Sequence, residues 1–234
     1  MTMIRRFISR LLKPWLGPRV LIFSALAAGL LTPGPARAHP HVWVTVQTTV
    51  LFDNAGAITG FRHEWVFDEY YTAFALQGMD KNGDGEYSDA ELEPLAKTNV
   101  ESLSEFDYFT FAELGDDPVP RSDPVDYRLV YSDDLLTLRF TLPLAEPVPA
   151  EDAGRFSFKV YDPTYFVAFS LSDNEPIKLA GTAPGGCETT IADAPMAKAE
   201  TQSLSEAFFE NLDASGDWGA QFAREIALRC KPGS

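Results

Sequence analysis

The sequence predicts an α+β fold: an antiparallel β-sheet or sandwich domain with a helix–loop–helix inserted after its first hairpin and a helix at its C-terminal end. Three observations carry this. Runs rich in Val, Thr and aromatic residues alternate in the strand manner on both sides of residues 68–103. Residues 68–103 switch to helical spacing. Short acidic or Pro-bearing turns, such as Gly115–Pro120 and Ser132-Asp133-Asp134, separate the later strands.

In order, His41–Phe52 reads as a strand, Asp53-Asn54-Ala55-Gly56 as a turn and Ala57–Phe67 as the returning strand of a hairpin. Asp68–Met79 reads as a helix with Tyr71, Phe74 and Gly78 on one side. Ser88–Leu103 reads as a second, with Leu92, Leu95, Asn99 and Leu103 in register and Pro94 as a kink past its first turn. Strands are expected at Phe106–Leu114, Tyr127–Tyr131, Leu135–Leu142, Phe156–Tyr161 and Phe166–Leu171. Ala192–Thr201 reads as a loop and Trp218–Cys230 as the terminal helix. No internal repeat is visible.

Residues 1–38 have the layout of a secretory signal peptide. Arg5, Arg6, Arg10, Lys13 and Arg19 precede the apolar run Val20–Leu31, a Pro/Gly break follows, and Ala36-Arg37-Ala38 places small residues at −3 and −1 of a cut after Ala38. The apolar run has 12 residues, too few for a bilayer, which needs about 20. Cleavage leaves one periplasmic domain, 39–234, with no membrane span. It also removes six basic residues and no acid, which takes the net charge from −15 to −21. So acidic a chain repels nucleic acid and anionic membranes and attracts cations. The two cysteines, Cys187 and Cys230, are expected to form a disulfide in an oxidising compartment, tying the final helix to the body; two free thiols are the alternative.

The sharpest motif is D-K-N-G-D-G-E-Y-S-D-A-E, Asp80–Glu91. Asp80, Asn82 and Asp84 offer side-chain oxygens at positions 1, 3 and 5 of a twelve-residue loop. Gly85 at position 6 permits the sharp turn, Glu86 offers its carbonyl at 7, Ser88 ligates directly or through water at 9, and Glu91 binds with both oxygens at 12. A hard ion such as Ca²⁺ wants six to eight oxygens, about what this loop offers. Ser88 and Glu91 also form a capping box for the helix that follows. The stretch resembles an EF-hand loop. It stands alone, which suits a structural staple of extracellular strength, roughly 10⁻⁴–10⁻³ M. A similar stretch, Asp213–Gly219, fails the pattern at Trp218 and Arg224 and reads as a turn and cap.

Two of the three histidines, His39 and His41, fall at the new amino terminus. A free His39 offers its α-amine and imidazole, and His41 faces the same side of a strand. Nitrogen donors suit Zn²⁺, Ni²⁺, Co²⁺ or Cu²⁺. A square-planar amino-terminal copper/nickel site is excluded, because Pro40 has no N–H to surrender. In a hairpin turning at Asp53–Gly56, His41 lies opposite Asp68 or Glu69, which complete the expected ligand set. His63 lies opposite Val46 or Gln47, some 17–20 Å along the strand from His41 at ~3.3 Å per residue, and reads as a satisfied strand histidine.

H-P-H-V-W at 39–43, W-V-F-D-E at 65–69 and Y-D-P-T-Y-F-V-A-F at 161–169, with the late cysteine pair, resemble domain-of-unknown-function family 1007. The resemblance implies a periplasmic component of a transition-metal transport system, of zinc or nickel/cobalt type, that serves a permease in the inner membrane. By position His39, His41, Asp68 and Glu69 match motif residues, as do Asp162 and Tyr165; the resemblance assigns no ligand among them. Asp162-Pro163-Thr164 on its own reads as a β-turn. The expected function is thus a metal-handling accessory protein that also binds calcium. The alternative is a calcium-stabilised extracytoplasmic interaction module without a transition metal. No G-x-S-x-G, H-E-x-x-H or phosphate loop is present, and an enzyme is not expected.

Overall fold

The computed structural model describes residues 40–196 and 217–230, all within one compact unit, Ala38–Ser234. The expected signal peptide 1–38, His39, residues 197–201 of the expected loop and 213–216 of the second acidic stretch lie outside the described residues.

The fold is mixed α+β, mostly antiparallel sheet with few helices. Strands β1 (Val42–Phe52) and β2 (Ile58–Phe67) form the hairpin. Asp53 closes its turn, its Oδ1 accepting from the Ala55 and Ala57 amides at 2.8 and 2.9 Å. Helix α1 (Glu69–Ala75) and helix α2 (Asp89–Leu103) follow, with the acidic loop between them. Then come β3 (Thr110–Leu114), β4 (Asp117–Pro118), β5 (Val125–Ser132), β6 (Leu135–Val148), β7 (Phe156–Val160), β8 (Val167–Leu171), β9 (Ile177–Ala180), β10 (Glu188–Ile191) and β11 (Ile226–Arg229).

One sheet has the order β5-β6-β2-β1-β8, with β9 also on β1, and the other β10-β11-β7-β3-β4. Strands β8 and β9 run parallel to β1; the remaining pairs are antiparallel. Strict alternation produces the core. Val44, Val46 and Val50 of β1, Phe61 and Trp65 of β2, and Leu136, Leu138, Phe140 and Leu142 of β6 point to one face and are almost fully buried. Phe61 meets Phe156 and Phe158 of the other sheet at ring distances of 5.9 and 4.7 Å, so both sheets share one core.

The helices dock on the first sheet. Thr72 of α1 accepts the buried Leu136 amide at 3.1 Å. Leu92, Ala96 and Val100, four residues apart, bury one stripe of α2, which lies against β5. Pro94 sits inside the helix, and Thr98 Oγ1 donates to its carbonyl at 2.9 Å.

Four expectations are corrected. The first helix ends at Ala75, not Met79. The expected strand at 106–114 begins at Thr110, after a 3-10 segment over Ser104–Phe109. The terminal helix over 218–230 is a short 3-10 turn at Gly219–Gln221 followed by strand β11, because Ile226–Arg229 finds backbone partners on both β10 and β7. The disulfide therefore ties a strand, not a helix. Cys187 and Cys230 are bonded, one rung beyond the Glu188–Arg229 pair of the β10/β11 ladder. Disulfides persist in oxidising compartments. Among the described residues no helix is long and apolar enough to cross a membrane.

Candidate metal-binding loop and amino-terminal residues

The loop Asp80–Glu91 is exposed nearly throughout and closes on itself. Glu91, in the first turn of α2, reaches back so that Oε1 accepts the Lys81 and Asn82 amides at 2.8 and 3.4 Å. Its Oε2 accepts the Ser88 amide at 3.0 Å and the Ser88 hydroxyl at 2.7 Å, completing the capping box. These bonds, the Ser88 hydroxyl first, hold the Glu91 carboxyl down to about 2 and keep it ionised. Asp80 accepts from Gly83 and Gly85 at 2.7 and 3.0 Å, Asn82 from Asp84 at 2.8 Å, and Asp84 from Glu86 at 2.8 Å. Gly85 sits at φ +84°, the left-handed conformation that position 6 demands. Tyr87 anchors the ring by packing edge-on against Tyr131 of β5 at 5.0 Å.

The oxygen donors at positions 1, 3, 5 and 12 are thus each tied to amides of the same turn, and the donor set is hard. Each carboxylate is oriented by amides of the loop itself. Among the described residues no three His, Cys, Asp or Glu side chains are drawn together as a metal cluster.

That statement also covers His41, Asp68 and Glu69. The hairpin register differs by one residue from the one its turn suggests, because the ladder slips between Leu51 and Phe52. Asp68 consequently faces Trp43, not His41: its amide donates to the Trp43 carbonyl at 3.0 Å, and its Oδ2 accepts the Trp43 amide at 2.8 Å. Its Oδ1 caps α1, accepting Tyr70 and Tyr71 amides at 2.8 and 3.0 Å. Asp68 is therefore committed to three backbone amides. Glu69 is exposed in the first turn of α1. His41 is exposed just before β1, its amide donating to the Phe166 carbonyl at 2.9 Å and its ring 4.6 Å from the Phe166 ring.

His63 is a core residue. It pairs with Thr48, again one residue from the expected partner, and is 0 % exposed. Thr110 Oγ1 donates its single proton to the Tyr108 carbonyl at 2.9 Å, so it accepts from His63 Nε2 at 3.3 Å, while Thr48 Oγ1 donates to Nδ1 at 3.0 Å. The ring is held neutral with both nitrogens satisfied, and burial pushes its pKa down to about 3. An unfolded histidine protonates near 6.5, so acid favours the unfolded chain. Between pH 7 and pH 5 this one group removes about 2 kcal/mol of stability. Urea titrations at the two pH values measure it; in His63→Gln that part of the pH dependence disappears.

Asp162 is 3 % exposed. Its Oδ1 accepts the Thr164 amide and hydroxyl, both at 2.8 Å, its Oδ2 accepts the Val167 amide at 2.9 Å, and its carbonyl accepts the Tyr165 amide at 2.9 Å. The expected β-turn is present, with a carboxylate clamp added. Tyr165 stacks on Phe222 at 4.2 Å, and neighbouring Tyr161 donates to Asp217 at 2.6 Å.

Fold and loop together define a disulfide-bonded α+β protein with an acidic, oxygen-lined turn between two helices. The chain belongs to the family described as "Protein of unknown function (DUF1007)", whose profile matches residues 24–230. It is similar to an uncharacterized protein of Haemophilus influenzae, 24% identical over 210 residues, or 88% of this chain and 98% of that protein. It is also similar to the "Uncharacterized 15.5 kDa protein in trpE 3'region" of Spirochaeta aurantia, 28% identical over 116 residues, or 50% of this chain and 81% of the relative.

Proposed function

We propose that this is a periplasmic calcium-binding protein, exported by the leader 1–38 and cut after Ala38, in which the ion joins α2 to the loop before it in the manner of an EF-hand. The observation that carries this reading is the Glu91 reach-back. The carboxylate of the twelfth residue already reaches back to the amides of the second and third, the closure that a bidentate twelfth ligand requires. Asp80, Asn82, Asp84 and Glu91 would bind by side chain, Glu86 by its carbonyl and Ser88 directly or through water. The disulfide supports the compartment.

Thermal unfolding with and without calcium tests it. With a Kd on the order of 3 × 10⁻⁴ M, 10 mM Ca²⁺ stabilises the fold by about 2 kcal/mol. Glu91→Gln removes that gain, and wild-type protein indifferent to calcium would sink the proposal.

A second reading, transition-metal handling for an inner-membrane permease, is favoured by one observation. His41 is exposed at the start of β1, two residues after His39. Since Asp68 faces Trp43 and not His41, this reading rests on His39 and His41, with Glu69 as the acidic neighbour. Zn²⁺ or Ni²⁺ titration of protein beginning at His39 separates the two readings: tight binding that is lost in His41→Ala supports the second, and equal binding by that variant refutes it.

A further inference from the structure

We propose that the cavity between α2, the 3-10 segment and the first sheet binds a neutral, largely apolar small molecule carrying a carbonyl-type hydrogen-bond acceptor. Its volume is about 490 Å³, within the range of small-molecule sites and equal to roughly 16 waters at ~30 Å³ each. Val44, Phe67, Leu103 and Leu138 give it aliphatic and aromatic walls, and Phe106 and Phe166, both nearly half exposed, stand at its margin. Walls of this kind hold water poorly and an apolar body well.

One buried donor sets the polar requirement. Trp65 is 1 % exposed, and its indole N–H has no hydrogen-bond partner among the described residues. The Asn99 side-chain NH₂ is turned to the Tyr71 hydroxyl. Trp65, Tyr71 and Asn99 all line this cavity. A buried donor left unmatched costs about 1–3 kcal/mol, and the Trp65 N–H calls for an acceptor from outside the chain. The acceptor is neutral because of what stands beside it. The Asp162 carboxylate lies on the same wall with its oxygens already engaged, and the whole chain is strongly acidic. A ligand carboxylate would face like charge. A cation would meet the Trp65 N–H instead of a free oxygen.

The backbone around the cavity is also strained. Asp107, Tyr108 and Phe109 are three consecutive non-glycine residues at φ of 56, 51 and 48°, and Tyr165 sits at 57°. Each costs of order 1–3 kcal/mol, and such conformations gather at ligand sites. Phe106 precedes the first run, Phe109 ends it, Thr164 and Phe166 flank Tyr165, and all four of these line the cavity. An Asp107–Arg121 ion pair and the Tyr108 hydroxyl on Asp123 at 3.3 Å hold the first run in place. The three stretches that carry the family resemblance meet here too: Val42 from the first, Trp65 and Phe67 from the second, and Asp162, Val167 and Phe169 from the third.

The test uses the mature chain and the neutral fluorophore N-phenyl-1-naphthylamine. We expect saturable binding, displaced by methyl decanoate at least tenfold more effectively than by decanoate or decyltrimethylammonium. Ser102→Phe, at an exposed position on the cavity margin, removes fluorophore binding while circular dichroism stays that of the wild type. Trp65→Phe keeps a ring but loses the donor; methyl decanoate then binds at least fivefold more weakly while the fluorophore changes less than twofold. Absence of saturable binding, binding unaffected by Ser102→Phe in folded protein, or tighter binding of either charged analogue overturns the proposal.

Discussion

Replacing Asp162 with alanine lowers the free energy of unfolding by about 3 kcal/mol, enough to move the thermal midpoint of a chain this size by roughly 10 °C. The carboxylate is buried and accepts three hydrogen bonds. The bond to the Val167 amide fixes the first residue of β8 against β1. The two from Thr164 hold the turn that delivers β8. Water can replace the carboxylate at exposed Thr164 but not readily at half-buried Val167. Gly219 also packs on this turn so closely that a Cβ there would come 1.8 Å from the Asp162 carbonyl oxygen. Asp162→Asn keeps one carbonyl oxygen and turns an NH₂ toward one of the former donors, so its cost is intermediate. Urea titration measures both; an alanine variant within 0.5 kcal/mol of wild type would show that the clamp is dispensable.

Opening the disulfide by Cys187→Ser with Cys230→Ser costs about 4 kcal/mol on the loop-closure estimate for a sequence separation of 43 residues. The bond adds a covalent rung to a ladder of only four residue pairs, β10 with β11. Four-residue strands are weak on their own, and β11 in turn contributes Ile226 and Leu228 to the core. Differential scanning calorimetry of the double variant should show a midpoint lower by about 10 °C. An unchanged midpoint would mean that the chain, not the cystine, fixes β11.

Much of this was legible in the sequence where signal and structure are both local. The acidic loop is contiguous, so its spacing, capping box and left-handed Gly85 could all be read from twelve residues. The first hairpin was legible from alternation. Its register was not, because a one-residue slip between Leu51 and Phe52 leaves no mark in the pattern and carries the ladder past both expected partners of His41, Asp68 and Glu69, setting Asp68 against Trp43. Ile226–Arg229 is composed of residues a helix accepts, and its two neighbouring strands, distant in sequence, decide otherwise. β9 and β10 are four residues each and are defined by their partners. The cavity was illegible for the same reason. Asn99 and Leu103 looked like one helical stripe and Phe106–Phe109 like strand, and nothing in the letters announces three left-handed residues in a row.

The first strand of the domain completes its sheet last. Val42 pairs with Val167 and Thr48 with Ile177, so the outer neighbours of β1 come from residues far along the chain. Such distant parallel pairing is slow, falling toward the millisecond-to-second range. A chain with this topology leaves one edge of its first strand bare until far later residues are available to cover it.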